Sequence, residues 1–131
     1  SWVNGRGRRV LGSGHGPPGP DGNLAGPFGQ LGADVTVEEG KALAQLVALS
    51  MLSSLERALG DLDRIARVVR LGGFVASTPD FTDHPKVVNG ASDLMVEVLG
   101  DKGRHSRAAV GVAALPLGVA VEVEAVLEVA G

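Results

Sequence analysis

Between Val119 and Val129 the chain alternates apolar and acidic residues almost without interruption. Val119, Val121, Val123, Leu127 and Val129 take one parity, while Glu122, Glu124 and Glu128 take the other with Val126 among them. A period of two is the side-chain period of a β-strand. One face of this strand therefore faces a core and the other carries three carboxylates. The glutamate face is either solvated or turned toward another subunit, in which case a buried Glu needs a partner.

The preceding elements can cover the valine face. Thr36-Val37-Glu38-Glu39 fits a capping box, in which hydroxyl and carboxylate each take one of the free amides at a helix start. Ala42, Leu46, Leu49, Leu52, Leu55 and Leu59 follow at spacings of three and four, with Val47 and Met51 widening the stripe. They predict an amphipathic helix stopped at Gly60. Asp61 to Arg64 reads as a turn and Ile65 to Val75 as a β-branched strand, with Gly72-Gly73 marking a bulge or a close backbone approach. Pro79 to Pro85 reads as a loop. A second helix is expected from Lys86 to Leu99, its stripe made of Val88, Leu94, Met95 and Val98.

Arg107 to Ala113 is the next expected strand, and Pro116-Leu117-Gly118 reads as a hairpin connection to the last one. That hairpin would set Arg107 on the strand beside Glu122. An arginine fork and a carboxylate on adjacent strands can hold a small carboxylate ligand and a water side by side. The fold class expected is α+β, a mixed sheet with two helices packed on one face.

Composition narrows the functions. The 131 residues fit one domain spanning 1–131, and 44% hydrophobic with 21% charged residues is a globular balance. Ten of the twenty glycines and four of the seven prolines precede residue 33, so that quarter reads as turns and loops, with Gly16 to Gly22 a turn whose hairpin tip is Asp21-Gly22. Residues 1–11 hold one adjacent aliphatic pair, Val10-Leu11, and predict an atypical, poorly ordered strand. The absence of cysteine rules out disulfides and thiol nucleophiles, and His15, His84 and His105 lack metal-ligand spacing, so no metal site is expected. A net charge of −3 argues against a general nucleic-acid binder, and the cluster of Arg6, Arg8 and Arg9 reads as a solvated terminus. With no run of 18 apolar residues and no signal-peptide pattern, the expectation is a soluble cytoplasmic protein that does not engage a membrane. The first residue is not Met, so the native start is expected to differ.

Several segments share one pattern. They are Gly12-Ser13-Gly14-His15, Gly32 to Gly40, Leu59 to Arg64, Pro79 to Leu94, Arg104 to Pro116 and Val121-Glu122-Val123-Glu124-Ala125. In this order they resemble the RidA/YjgF superfamily of reactive intermediate deaminases, also called endoribonuclease L-PSP-like, over about nine-tenths of the chain. The Arg-x-x-Val…Leu-Pro…Val-Glu-x-Glu-Ala spacing carries the most specificity. The resemblance implies a chorismate-mutase-like fold, a homotrimer around a central barrel-like core, and ligand clefts between subunits.

It also implies an activity and a site. Active relatives hydrolyse 2-enamine/2-imino acids to 2-keto acids and ammonia, without a cofactor. Arg107 matches the arginine that grips the substrate carboxylate, and Glu122 the glutamate that positions the attacking water. Ala109 matches a position whose backbone amide meets the carboxylate, while Asn89 and Ser13 match polar positions lining the cleft. His15, after the Ser-Gly pair, either faces the cleft or is a loop histidine. Two departures stand out: Arg9 and Gly12 replace apolar residues of the first strand, and the chain has no tyrosine for the cleft. They motivate a second expectation, a non-catalytic trimer that binds or senses small carboxylates. A ribonuclease or translation inhibitor is the third.

Overall fold

The computed structural model describes residues 3–6, 8–21 and 23–130, with the side chains of 3–6 and of Ser13 outside that description. Five strands, β1 (Val3–Arg6), β2 (Arg9–His15), β3 (Ile65–Ala76), β4 (Ser106–Val112) and β5 (Val121–Val129), and two long helices, α1 (Val37–Leu59) and α2 (His84–Leu99), make up the fold. The sheet order is β1-β2-β5-β3-β4. Only β3 and β4 run parallel; the other neighbours are antiparallel. The α+β expectation and the mixed sheet therefore hold.

The hairpin does not. β4 pairs in parallel with β3, and β5 pairs with β3 on its other side, so β4 and β5 are not neighbours. A chain that leaves β3, runs through α2 and returns parallel must take the free edge. The segment Pro116–Gly118 forms a 3-10 turn, with Leu117 at φ 60° and Gly118 at φ 74°, that carries the chain across β3 to the sheet centre. There β5 buries Val121, Val123, Ala125, Leu127 and Val129 and leaves the intervening residues half-buried, as its alternation requires.

Both helices cover the valine face. Thr36 and Glu39 form the capping box, with the Thr36 amide 2.9 Å from Glu39 Oε1 and the Glu39 amide 3.1 Å from Thr36 Oγ1. The buried stripe of α1 is rotated from the leucine pattern, however. Leu43, Ala44, Val47, Ala48, Met51, Leu52 and Leu55 are inside, whereas Leu46 and Leu49 are exposed. Close contact between helices explains the rotation. A Cβ on Gly90 of α2 would fall 2.1 Å from the Lys41 carbonyl oxygen, so α1 presents its small residues to α2 and turns two leucines outward. In α2, Val87, Val88, Ala91, Leu94 and Met95 are buried and Val98 is exposed. Each large side chain fully buried in this layer contributes about 1.5–3 kcal/mol of transfer free energy. By length and composition α1 would also suit a bilayer, yet its apolar stripe is spent on this core.

The glycine pair marks a close approach, not a bulge. Gly73 lies where a Cβ would meet Val88 Cγ2 at 2.5 Å, which seats α2 directly over the β3–β4 seam. The register shifts of β3 lie upstream, between Ile65 and Arg67 and between Val68 and Arg70. The segment expected to be poorly ordered pairs as a hairpin of β1 on β2, with Val10 buried. The proline-rich tip closes through the bridge Pro18–Leu24.

Candidate functional site

Register decides where each candidate side chain points, because paired residues on neighbouring strands project to the same face. Arg107 pairs with Leu71, which pairs with Ala125, and both partners are buried under the helices. Arg107 therefore leaves the edge strand β4 on the helix side. Glu122 pairs with Phe74, which pairs with Val110, and this row lies on the uncovered face. The two residues expected side by side are thus separated by β3 and project from opposite faces of the sheet.

On the helix side, α2 supplies the partners of Arg107. Its NH1 donates to Asn89 Oδ1 at 2.7 Å and to Ser92 Oγ at 3.2 Å. Asn89 and Ser92 lie three residues apart, hence on one helix face. Among the described residues, Nε and NH2 of Arg107 have no hydrogen-bond partner. These atoms form one edge of the guanidinium, the geometry that receives a carboxylate through two parallel bonds. The group opens on a cavity of about 310 Å³ whose lining includes Asn89, Ser92, Asp93, Arg104, His105 and Arg107, so two arginines there outnumber the one exposed carboxylate, Asp93. Ala109 lies two residues along β4 on the same side, packed against the core. Because β4 ends the sheet, its outer backbone groups face away from β3 and are open to a ligand.

The uncovered face is different. Glu128 pairs with Arg67 at 2.8 Å and Glu124 with Arg70 at 3.6 Å, both exposed pairs of small energetic weight. Among the described residues Glu122 is the one carboxylate of the three with no cation beside it. It lies along β2, where a Cβ on Gly14 would come within 2.8 Å of its Cδ. The backbone of Ser13 is next to this position, but its side chain lies outside the described residues. Leu11 and Val110 are exposed on the same face, and Phe74 and Val126 are half-buried there.

His15 is not a loop histidine. It belongs to β2, is buried, and lies 3.5 Å from Ser54 Oγ on α1. Ser92 and His105 join the Arg107 cluster without having been expected there. The signals for them were Ser92 at i+3 from Asn89 and His105 at i−2 from Arg107.

A larger cavity, about 400 Å³, opens at the other end of β4 between Gln30, Ser77, Phe81, His84 and Ala113. Ser77 Oγ and His84 Nε2 lie 3.2 Å apart there. Among the described residues no arginine, lysine or carboxylate lines it, so these residues offer a carboxylate ligand no fixed countercharge. Near it, the Thr78 hydroxyl donates to Asp80 at 2.7 Å and holds that carboxyl below its usual value of 3.8.

A five-stranded mixed sheet with two helices on one face is the chorismate-mutase-like class of α+β fold. The chain belongs to the family described as "YjgF/chorismate mutase-like, putative endoribonuclease", which it matches over residues 6–128. Protein TCP17 of Trypanosoma cruzi is 57% identical over 101 residues, covering 76% of this chain and 63% of that protein's length. The crystal structure of Atu1372 from Agrobacterium tumefaciens superposes with a TM-score of 0.95 at 42% identity, covering 98% of this chain and 82% of that one. A "putative endoribonuclease" of Shewanella oneidensis gives 0.93 at 36% identity, over 98% and 84% of the two chains. RidA from an Antarctic Psychrobacter is more distant, with a TM-score of 0.66 and 26% identity over 98% and 86%.

Proposed function

We propose that the protein hydrolyses 2-imino acids and their 2-enamine tautomers to 2-keto acids and ammonia. Its site is completed when Arg107 of one protomer meets Glu122 of another in a homotrimer. The observation that carries the reading is the Arg107 guanidinium, held through NH1 on α2 while its Nε–NH2 edge is left to a ligand. An arginine so braced binds the carboxylate shared by substrate and product, and takes up little of the ordering cost at the moment of binding. The family membership and the RidA among the structural relatives support the same substrate class.

The chemistry asks little of the protein. Water adds to C2 of the imine, Glu122 accepts a proton from that water, and the proton passes to the nitrogen. The carbinolamine then loses ammonia and leaves the 2-keto acid. Glu122 suits the role of water-positioning base because no cation among the described residues neutralises it. Since one protomer keeps it on the face opposite Arg107, a second copy must bring the two together. The exposed Leu11 and Val110 on the uncovered face favour such a copy.

The test generates the imino acid with an amino-acid oxidase and traps what remains with semicarbazide. Wild-type protein lowers the trapped amount, and Arg107→Ala loses about 30- to 1,000-fold of that effect. No lowering by the wild type, or equal lowering by Arg107→Ala, refutes the proposal. Tight pyruvate binding without turnover would instead identify a carboxylate sensor, a reading favoured by the separation of Arg107 and Glu122 within one protomer. RNA cleavage that survives purification and vanishes in a point variant would support the activity named for the Shewanella relative.

A further inference from the structure

We propose that Ser92 and His105 are positioning residues for Arg107, forming a directed hydrogen-bond chain that decides which edge of the guanidinium meets the ligand. The functional consequence rests on the reading of Arg107 as the carboxylate-binding group; the chain itself rests on geometry alone. Three contacts set its direction. His105 Nδ1 is 2.6 Å from the Gly103 carbonyl oxygen, and a carbonyl only accepts, so Nδ1 carries the ring proton. In the neutral imidazole Nε2 is then an acceptor. Ser92 Oγ, 2.9 Å away, donates its one proton to it. With that proton committed, Ser92 faces Arg107 as an acceptor, and NH1 donates to it at 3.2 Å.

The second NH1 proton goes to Asn89 Oδ1. Both NH1 protons are therefore spent on α2, and a rotation exchanging NH1 with NH2 would break two bonds at once. The Nε–H and the NH2 group stay together as the fork. Without His105 the Ser92 proton would be free to point at the guanidinium, setting a donor against a donor. The backbone anchors the start of the chain. Gly103 is buried in a 3-10 turn after α2, where a Cβ would fall 2.2 Å from the Met95 carbonyl oxygen, so the Gly103 carbonyl is wedged in place.

The test uses the full chain, with pyruvate as the ligand probe. Binding is read by calorimetry, imine hydrolysis by semicarbazide trapping, and Arg107 mobility by side-chain nitrogen NMR. Ser92→Ala is expected to raise the pyruvate Kd and the imine KM about tenfold, with kcat changed far less, because a hydrogen bond to a charged group is lost. The Arg107 Nη protons, slow to exchange in the wild type, become averaged. Ser92→Thr, which keeps the hydroxyl, restores all three readings. His105→Phe weakens binding in the wild-type background but adds nothing to Ser92→Ala, since it acts through that hydroxyl. His105→Gln, which returns an acceptor near Nε2, recovers most of the loss. Wild-type Kd and immobile Nη protons in Ser92→Ala overturn the chain, as do additive losses in the double variant. If the wild type itself binds no pyruvate, the carboxylate reading fails, and the Nη signals alone still decide whether Ser92 holds Arg107.

Discussion

The two faces of the sheet prepare their charged residues in opposite ways. Arg107 is braced before any ligand arrives, through NH1 bonds to Asn89 and Ser92 on α2. Glu122 on the other face accepts no hydrogen bond among the described residues, and its carboxyl end occupies the room that Gly14 leaves. The contrast teaches that one chain by itself braces Arg107, the half that on the proposed function would recognise a carboxylate. The half that would handle water depends on what covers the open face.

Substitutions on the two sides should separate accordingly. The largest effects come from the charged residues. Arg107→Ala is expected to weaken pyruvate binding about 100-fold, whereas Glu122→Gln lowers kcat about 100-fold and leaves the pyruvate Kd within about twofold. Equal shifts of Kd in both variants, read by calorimetry, would merge the two halves and break the contrast. Next comes Gly90→Ala, whose Cβ would collide with the Lys41 carbonyl oxygen and push α1 from α2. A loss of about 2–3 kcal/mol is expected, lowering Tm by roughly 5–10 °C in a thermal melt. Because the shift moves the helix carrying Asn89, pyruvate affinity should fall as well.

Gly14→Ala is gentler and belongs to the other side. It displaces the end of the flexible Glu122 side chain, so kcat should drop about tenfold while Tm and pyruvate Kd stay put. A fall in affinity there would place Glu122 in contact with the ligand carboxylate. The smallest effect tests a group remote from both halves. The folded Asp80 carboxyl titrates below 3.8, so its stabilisation is present above that value and is lost as pH falls through the lower folded value. Thr78→Val removes the donor, and NMR titration should show the Asp80 carboxyl moving up toward its usual range with imine hydrolysis unchanged.

Much of this was legible in the residues themselves. The alternation of β5, the Thr36–Glu39 capping box and the stop at Gly60 are local signals, and local signals survive tertiary assembly. The rotated stripe of α1 was hidden because two overlapping sets of apolar residues share that helix. The choice between them was made by Gly90, which lies on another element. The hairpin expectation fails for a similar reason. Pro-Leu-Gly is good turn chemistry, but a turn does not say which strand receives the chain. For the site, the family pattern pointed to Arg107 and Asn89, whose 2.7 Å contact the fold supplies. Ser92 and His105 went unnoticed because their meaning lies in bond direction, which spacing along a chain does not carry.

The position of β5 has a consequence for how the molecule comes into being. It follows every other element in the chain yet occupies the middle of the sheet, bonded to β2 on one side and β3 on the other. Until it emerges from the ribosome, the β1–β2 hairpin has no sheet to join and the helices have no complete floor. Synthesis therefore accumulates unfinished parts, with the β3 edge that β5 will pair left open, and closes the sheet in one late step. A chaperone that shields apolar strands during that interval would matter more for this topology than for one whose central strand is made first.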